Sequence, residues 1–454
     1  MAAILQRDLF GWNSVKRMPD LERFRMVRDA LDDEALVREL ERLRGRGRND
    51  YPVRPMWNAV VLFPLTGHKT WKAYVRELGR NRDLMAVCGF PVGSKVPAAS
   101  AVSRFLKTVK RLQVCVDDLI HDAIEGLGEL LPDFGEHLGV DSQAVNSSAR
   151  KRSDERREDG QPDERGEHDA ENSKKVSAAD GKQVEYSWFG FKNHLLCDTK
   201  YQLPLLPLVA GGTSSDATHF APLLEQYVSR HPELARRIRE CSADMAYDSA
   251  ENILLVRRLT DGRGGLFCPT RKTWKNPDFE VTDTTGKELK LKLIGTPGNE
   301  DICYDEDGQL YCCAETASER WVHSPMVFKG YEASRQTVKY VCHAAHYGIR
   351  CPGRQQCDKG CGRTVRVRLH FDPRVFVPTP RHTAKFARGY RRRTAVERIN
   401  GLFDALFDIK DMKVRGLANA RFRVSLMVLT VLTMARARIA NNQKEKMTSI
   451  VAAA

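Results

Sequence analysis

The stretch GYRRRTAVERINGLFDALF, residues 389–407, carries three successive arginines and a glutamate four positions after the last of them. At about 100° per residue of helix, Tyr390, Arg393, Glu397 and Asp404 fall within a narrow arc of one face. Val396, Ile399, Phe403 and Leu406 form an apolar stripe roughly opposite. The spacing therefore predicts a helix that packs by one face and shows arginine and carboxylate on the other. On an isolated helix that pattern is an i, i+4 ion pair on a solvated surface. Whether it is more depends on what the rest of the chain brings to it.

Upstream, EHLGVDSQAV (136–145) reads as a short buried strand ending at Asp141. Segment 150–175 holds eight basic and nine acidic residues, the composition of a mobile charged loop. YSWFGFKNHLLCDT and YQLPLLPLVAGG follow as two strands joined tightly around Lys200. An amphipathic helix, the strand CSADMAYDS, a second helix and the strand GGLFCPTR complete a run of three strands, helix, strand, helix, strand. In a mixed sheet of that order the first and fourth strands can lie side by side and parallel. Their ends then open onto one crevice, the usual ligand position in α/β sheets. Asp141 and Asp244 sit at those ends, and Glu397 joins them if the helix of 389–407 packs across the same sheet. Three gathered carboxylates repel one another unless cations are present. Such oxygen-rich sites suit two Mg²⁺ or Mn²⁺ ions. The plainer alternative for each aspartate is the cap of a helix or turn.

The remaining chain divides by texture. Residues 1–130 read as a helical domain suited to DNA-end binding, dimerisation or plain scaffolding. The α/β core is expected at 135–272 plus 378–415, with a β-rich insertion at 273–377 and a C-terminal helix and tail at 416–454. The insertion holds seven of the twelve cysteines, Cys303 to Cys361, within 59 residues. At that density, in a reducing compartment, thiolates point to a structural zinc site. Cys312, Cys342, Cys351 and Cys357 are the preferred ligands, with Cys313 or Cys361 as substitutes; unligated thiols in a small β domain are the other reading.

Lysine and arginine exceed aspartate and glutamate by 73 to 59, a net charge of +14. The excess concentrates at 363–393, where ten basic residues stand against the single acid Asp372. That run leads into Glu397 and would line its approach with phosphate-binding groups. Lys192 and His194 on the middle strand pair face the same way. The longest apolar run, VSLMVLTVLTMA (424–435), is too short for a membrane span and is expected to be a buried helix. With no secretory segment in MAAILQRDLFGW, the reading is a cytoplasmic protein with no membrane partner.

These motifs together resemble the DDE transposases of bacterial insertion sequences. In particular the chain is similar to the branch whose third carboxylate lies in a Y-x2-R-x3-E-x6-K signature. Tyr390, Arg393 and Glu397 match its first three positions. VDSQAV resembles the strand of the first aspartate and SADMAYDS that of the second, with Asp248 as the alternative to Asp244. YPVRPMWNAVVLFPLTGHKTWKAYVRELGRNRDLMAVCGF resembles the N-terminal domain of that branch. The resemblance implies a ribonuclease H-like mixed sheet with flanking helices, an all-α N-terminal domain and a cysteine-containing insertion. It also implies catalytic, Mg²⁺-binding Asp141, Asp244 and Glu397. DNA contacts would come from Tyr390, Arg391, Arg392, Arg393, Lys192 and Arg415. One position departs from the signature: Asp404 stands where its lysine is expected, leaving Lys410, Lys413 or Arg415 to supply the charge.

The implied reaction is cleavage of double-stranded DNA at terminal inverted repeats, then attack of the freed 3′-hydroxyl on target DNA. A homodimer would act in a synaptic complex, associated with the nucleoid. Two other functions share these features: a non-catalytic DNA-binding protein derived from a transposase, and a metal-dependent nuclease that cuts without joining.

Overall fold

The computed structural model describes residues 19–46, 50–91, 93–149, 167, 169–179, 182–282, 288–315, 321–351, 357 and 362–450. The charged segment 150–166 and Cys361 lie outside them. The chain opens with helices α1 (Pro19–Ala30), α2 (Glu34–Arg44), α3 (Val53–Leu62), α4 (Trp71–Arg80), α5 (Arg82–Cys88), α6 (Ala99–Arg111) and α7 (Gln113–Leu130). Local chemistry sets several of their starts. Thr70 accepts the Ala73 N–H at 3.2 Å and Asn81 the Leu84 N–H at 2.9 Å, each satisfying an amide that has no partner inside its helix.

Strands β1 (His137–Asn146), β2 (Glu171–Ala179), β3 (Lys182–Asp198) and β4 (Leu203–Gly211) come next. They are followed by α8 (Asp216–Arg230), α9 (Pro232–Ala235), β5 (Glu240–Ala243), α10 (Ala250–Leu259) and β6 (Leu266–Phe267). The sheet runs β2-β3-β1-β5-β6, with β4 also paired to β3. β1 pairs antiparallel with β3 and parallel with β5. This is the mixed α/β sheet the sequence implies, with two corrections. β1 does not stop at Asp141: its parallel partner ends at Ala243, but its antiparallel partner continues and carries β1 on to Asn146. And Glu171–Ala179, within the stretch expected to begin as a charged loop, is a strand. It pairs with the first half of β3, where no apolar alternation is needed because the backbone ladder supplies the order. Gly190 marks the handover, opposite both Asn146 and Glu171. A Cβ there would collide with the Val145 carbonyl oxygen.

Between β6 and residue 377 lie two antiparallel sheets. β7 (Phe279–Thr282), β8 (Glu288–Leu293), β9 (Ile302–Tyr304), β10 (Leu310–Glu315) and β11 (Trp321–Pro325) form a meander in the order β11-β10-β9-β8-β7. β12 (Val327–Glu332), β13 (Thr337–Val341) and β14 (Thr364–Arg368) form the second, with the short α11 (His343–Tyr347) between β13 and β14. Asp248, fully buried, fastens this region to the core. Its carboxylate accepts from Arg374 Nε at 2.8 Å and from the Arg271 backbone N–H at 2.8 Å, with Arg381 at 3.5 Å.

The stretch 389–407 is not one uninterrupted α-helix. α12 (Ala384–Tyr390) and α13 (Thr394–Phe407) are joined by a 3₁₀ turn at Arg391–Arg393. The tighter winding brings positions three apart into line, so Arg393 lies over the Tyr390 ring at 5.7 Å. The apolar face behaves as the spacing predicts: Val396, Ile399 and Phe403 are buried in the main core. Last, α14 (Leu417–Ala440) packs on β4, α7 and α1. It is long and apolar enough to cross a membrane, yet 78% of its most apolar window is buried inside the protein.

Candidate active site

The parallel ladder between β1 and β5 ends with Val140 opposite Ala243. Asp141 and Asp244 are the next residue on each strand. Neighbouring strands stand about 4.8 Å apart, so the register alone sets these two backbones side by side. Asp141 is buried within the continuing β1–β3 pairing. Asp244 begins a short 3₁₀ turn, and its Oδ1 accepts the Ala246 N–H at 2.9 Å, so the capping role open to any aspartate is also real here.

Glu397 reaches this point because α13 packs unusually close to β1. Gly139 lies two residues before Asp141, on the same side of the strand, and a Cβ at that position would collide with Val396 Cγ2. With no side chain at 139, Val396 seats on the strand and its neighbour Glu397 stands at the rim. Asn400, one turn on, donates to Asp141 Oδ2 at 3.2 Å.

Asp141, Asp244 and Glu397 line one crevice of about 720 Å³, with Lys192, Asp216, Asn400 and Asp404 also in its wall. Arg393 couples the carboxylates. Its guanidinium lies 3.6 Å from Asp141 and 2.5 Å from Glu397. Burial works to lower its pKa, but Asp141, Tyr390, Glu397 and Asp244 together override burial and raise it. All three carboxylates thus act on one cation. Their oxygens are nonetheless spread: among the described residues, the one group of three or more ligand-type side chains with atoms mutually within 4.8 Å is Cys303, Cys313 and His323.

Other residues singled out in the sequence distribute differently. Lys192 lines the crevice, donating to the Ser214 carbonyl at 2.9 Å and facing Asp216 at 3.3 Å. Arg391 is exposed. Arg392 is turned away, pairing with Glu240 and with His137 Nδ1, at the starts of β5 and β1. That places it at the opposite end of the ladder from Asp141, and it is absent from the crevice wall. Asp404 accepts from Gln143 Nε2 at 2.7 Å and from Lys410, which itself lines the crevice. His194 is sealed beneath, against Tyr247 and Ser214, and burial drives its pKa down to about 3. Asp248, the alternative to Asp244, is occupied by Arg374 and Arg381 and is absent from the crevice wall.

Two features escaped the sequence reading. Tyr186 and Trp188, stacked at 5.8 Å, flank the crevice on β3. Arg415 lines a separate groove of about 460 Å³ with Lys72, Lys107, Lys110, Lys413 and Arg423. Among the described residues, no carboxylate lines that groove. Arg423 is 5% exposed and stacks on Phe63 at 4.4 Å, while burial lowers its pKa to about 10. Among the cysteines, burial pushes Cys312 up to about 11, with further influence from Asp301, Arg363, Cys357 and Cys342. Among the described residues, the expected zinc ligands Cys312, Cys342, Cys351 and Cys357 form no group with ligand atoms mutually within 4.8 Å.

Residues 149–288 match the family described as Transposase DDE domain, and residues 13–108 the family described as Transposase domain (DUF772). The chain belongs to the DDE transposases. Of the three crevice carboxylates, Asp244 lies within the matched part of this transposase; Asp141 and Glu397 lie beyond its two ends. Among solved structures the transposase is similar to the piggyBac transposase synaptic complex with hairpin DNA. The identity there is 12% and the TM-score 0.32, over 95% of this chain and 85% of the other. No curated protein matches it in sequence.

Proposed function

We propose that this transposase cleaves DNA at insertion-sequence ends and transfers the freed 3′-hydroxyl into target DNA, with Asp141, Asp244 and Glu397 as its catalytic carboxylates. The observation that carries the reading is that Asp141, Asp244 and Glu397 line one crevice, where Arg393 reaches both Asp141 and Glu397. Hard oxygen donors of this kind fit Mg²⁺ or Mn²⁺, and their spread favours ligands arranged around two ions over three crowded on one. Bound there, the ions would neutralise charge on the attacking and leaving oxygens of phosphodiester exchange.

The chain's own residues have distinct tasks in this reading. Asn400 and Arg393 hold Asp141, so its carboxylate keeps one orientation as substrate enters. Tyr390 supports Arg393 from below and, with Arg391 and Arg393, contacts the DNA backbone as substrate enters. Lys192 and Lys410, both in the crevice wall, approach substrate phosphates, Lys410 standing in for the signature lysine replaced by Asp404. The flat faces of Tyr186 and Trp188 suit a base unstacked at the DNA end. The groove of Lys72, Lys107, Lys110, Lys413 and Arg415 extends the backbone path onto the N-terminal helices. Two copies of the chain would hold two ends for joining. Cys312, Cys342, Cys351 and Cys357 would hold a structural zinc that orders the insertion.

The test is incubation of the purified protein with Mg²⁺, duplexes carrying the element's terminal repeats, and target plasmid. Cleavage followed by joining is expected. Binding without cleavage would instead favour the DNA-binding derivative, and cleavage without joining the nuclease.

A further inference from the structure

We infer that the insertion carries a second metal centre, made by Cys303, Cys313 and His323 and distinct from the cysteines on the other face of the same sheet. The argument begins with adjacency. Cys312 and Cys313 are consecutive on β10, so their side chains leave opposite faces. The register extends each face across neighbouring strands. Cys303 on β9 stands opposite Tyr311, and Cys313, two residues on from Tyr311, stands opposite His323 on β11. Cys303, Cys313 and His323 therefore share one face of three adjacent strands. Cys312, opposite Ile302 and Ser324, belongs to the other.

The packing agrees. Cys303 and Cys313 sit in a small apolar cluster with Leu289, Leu291 and Tyr311, whereas Cys312 packs against the larger cluster around Ile302 and Tyr340. No single ion can hold thiolates from both faces of a strand. Cys303 is fully buried, Cys313 is 3% exposed, and the structure joins them as a disulfide, so the metal-binding form of the site is its reduced form. The ligand atoms of the two cysteines and His323 lie within 4.8 Å of one another. His323 Nε2 is buried with no hydrogen-bond partner, a cost that a ligand bond would remove.

Two sulfurs and one imidazole nitrogen form a soft, borderline donor set that selects Zn²⁺ in tetrahedral geometry, with a solvent molecule at the fourth position. Two equivalents of a cellular thiol first reduce the disulfide and are themselves oxidised to a disulfide; zinc binding then deprotonates the two freed thiols and releases their protons. The ion would clasp β9, β10 and β11 at the edge of the meander, far in sequence from the carboxylates.

The full chain, purified under reducing conditions and equilibrated with Zn²⁺, is analysed for bound metal alongside His323→Ala and Cys342→Ala. His323→Ala is expected to contain less zinc than wild type, by up to one equivalent, whatever the result for Cys342→Ala. Alkylation of wild type, read at individual cysteines by mass spectrometry, guards against a variant that fails to fold. Cys303 and Cys313 should resist labelling with zinc bound and react once a chelator is added. Unchanged zinc content in His323→Ala would overturn the proposal. So would a Cys303–Cys313 disulfide that persists under the reducing conditions, or thiols equally reactive with and without chelator. None of these outcomes depends on whether the protein cuts DNA.

Discussion

Val140 faces Ala243 across the last rung of a parallel ladder, and the two residues that follow are Asp141 and Asp244. The carboxylate pair is thus set by backbone register, before any side chain is considered. Asp141→Asn, Asp244→Asn and Glu397→Gln, each nearly isosteric, are expected to reduce cleavage to background while leaving a folded, DNA-binding protein. Removing divalent cations with a chelator should give the same phenotype in wild type. A variant that retained substantial cleavage in a gel assay would remove its residue from the catalytic set.

Arg393 touches both Asp141 and Glu397, and Asn400 touches Asp141. Groups that orient ligands in this way typically account for roughly 10–100-fold in activity or metal affinity. Asn400→Ala and Arg393→Ala should lose activity in that range, with a raised Mg²⁺ requirement. Arg393→Lys should recover little, because one ammonium cannot replace a fork that serves two carboxylates. Titration of cleavage rate against Mg²⁺ concentration checks this.

Arg423 is charged at neutral pH, buried and stacked on Phe63, with no carboxylate paired to it among the described residues. Arg423→Met should raise stability by about 1–3 kcal/mol, since burying an uncompensated charge is costly. The same change should weaken DNA binding. Lys72→Ala and Lys107→Ala should weaken binding to all sequences alike, each lowering the salt slope of log K by about 1. Urea titration and binding at several salt concentrations measure both.

Asp248 is a different kind of aspartate. Breaking a buried ion pair by removing one partner costs about 3–5 kcal/mol, so Asp248→Ala should lower the unfolding midpoint sharply. Its loss of activity should follow loss of folded protein. A stable but inactive Asp248→Ala would show that Asp248 acts in the chemistry.

Burial lowers His194 to about 3 and both His121 and His382 to about 4, from an ordinary 6.5. The folded state therefore favours neutral imidazole. The stability this contributes is complete above the unfolded pKa and is lost as pH falls from about 6.5 towards 4, by up to about 1.4 kcal/mol per pH unit for each group. Urea midpoints should fall across that window. His194→Gln, which does not titrate, should show a shallower fall.

The sequence was most legible where chemistry repeats locally. The apolar stripe of α13, the parallel pairing of the Asp141 and Asp244 strands and the gathering of Asp141, Asp244 and Glu397 at one crevice followed from spacing and motif. What was missed depends on partners distant in the chain. β2 has little apolar signal because its order comes from the extension of β3. Arg392 reads like its neighbours until Glu240, 152 residues away, takes it. The basic groove gathers Lys72, Lys107 and Arg415 from three separate segments. The division of the cysteines left a trace that was readable: two consecutive cysteines in a strand cannot face the same way.

The burial of α14 between the helical layer and the sheet bears on how the protein is made. Until residues 417–440 leave the ribosome, β4, α7 and α1 lack the surface that covers them. A transcript cut short before that point would yield an aggregation-prone fragment, even with every crevice carboxylate already translated.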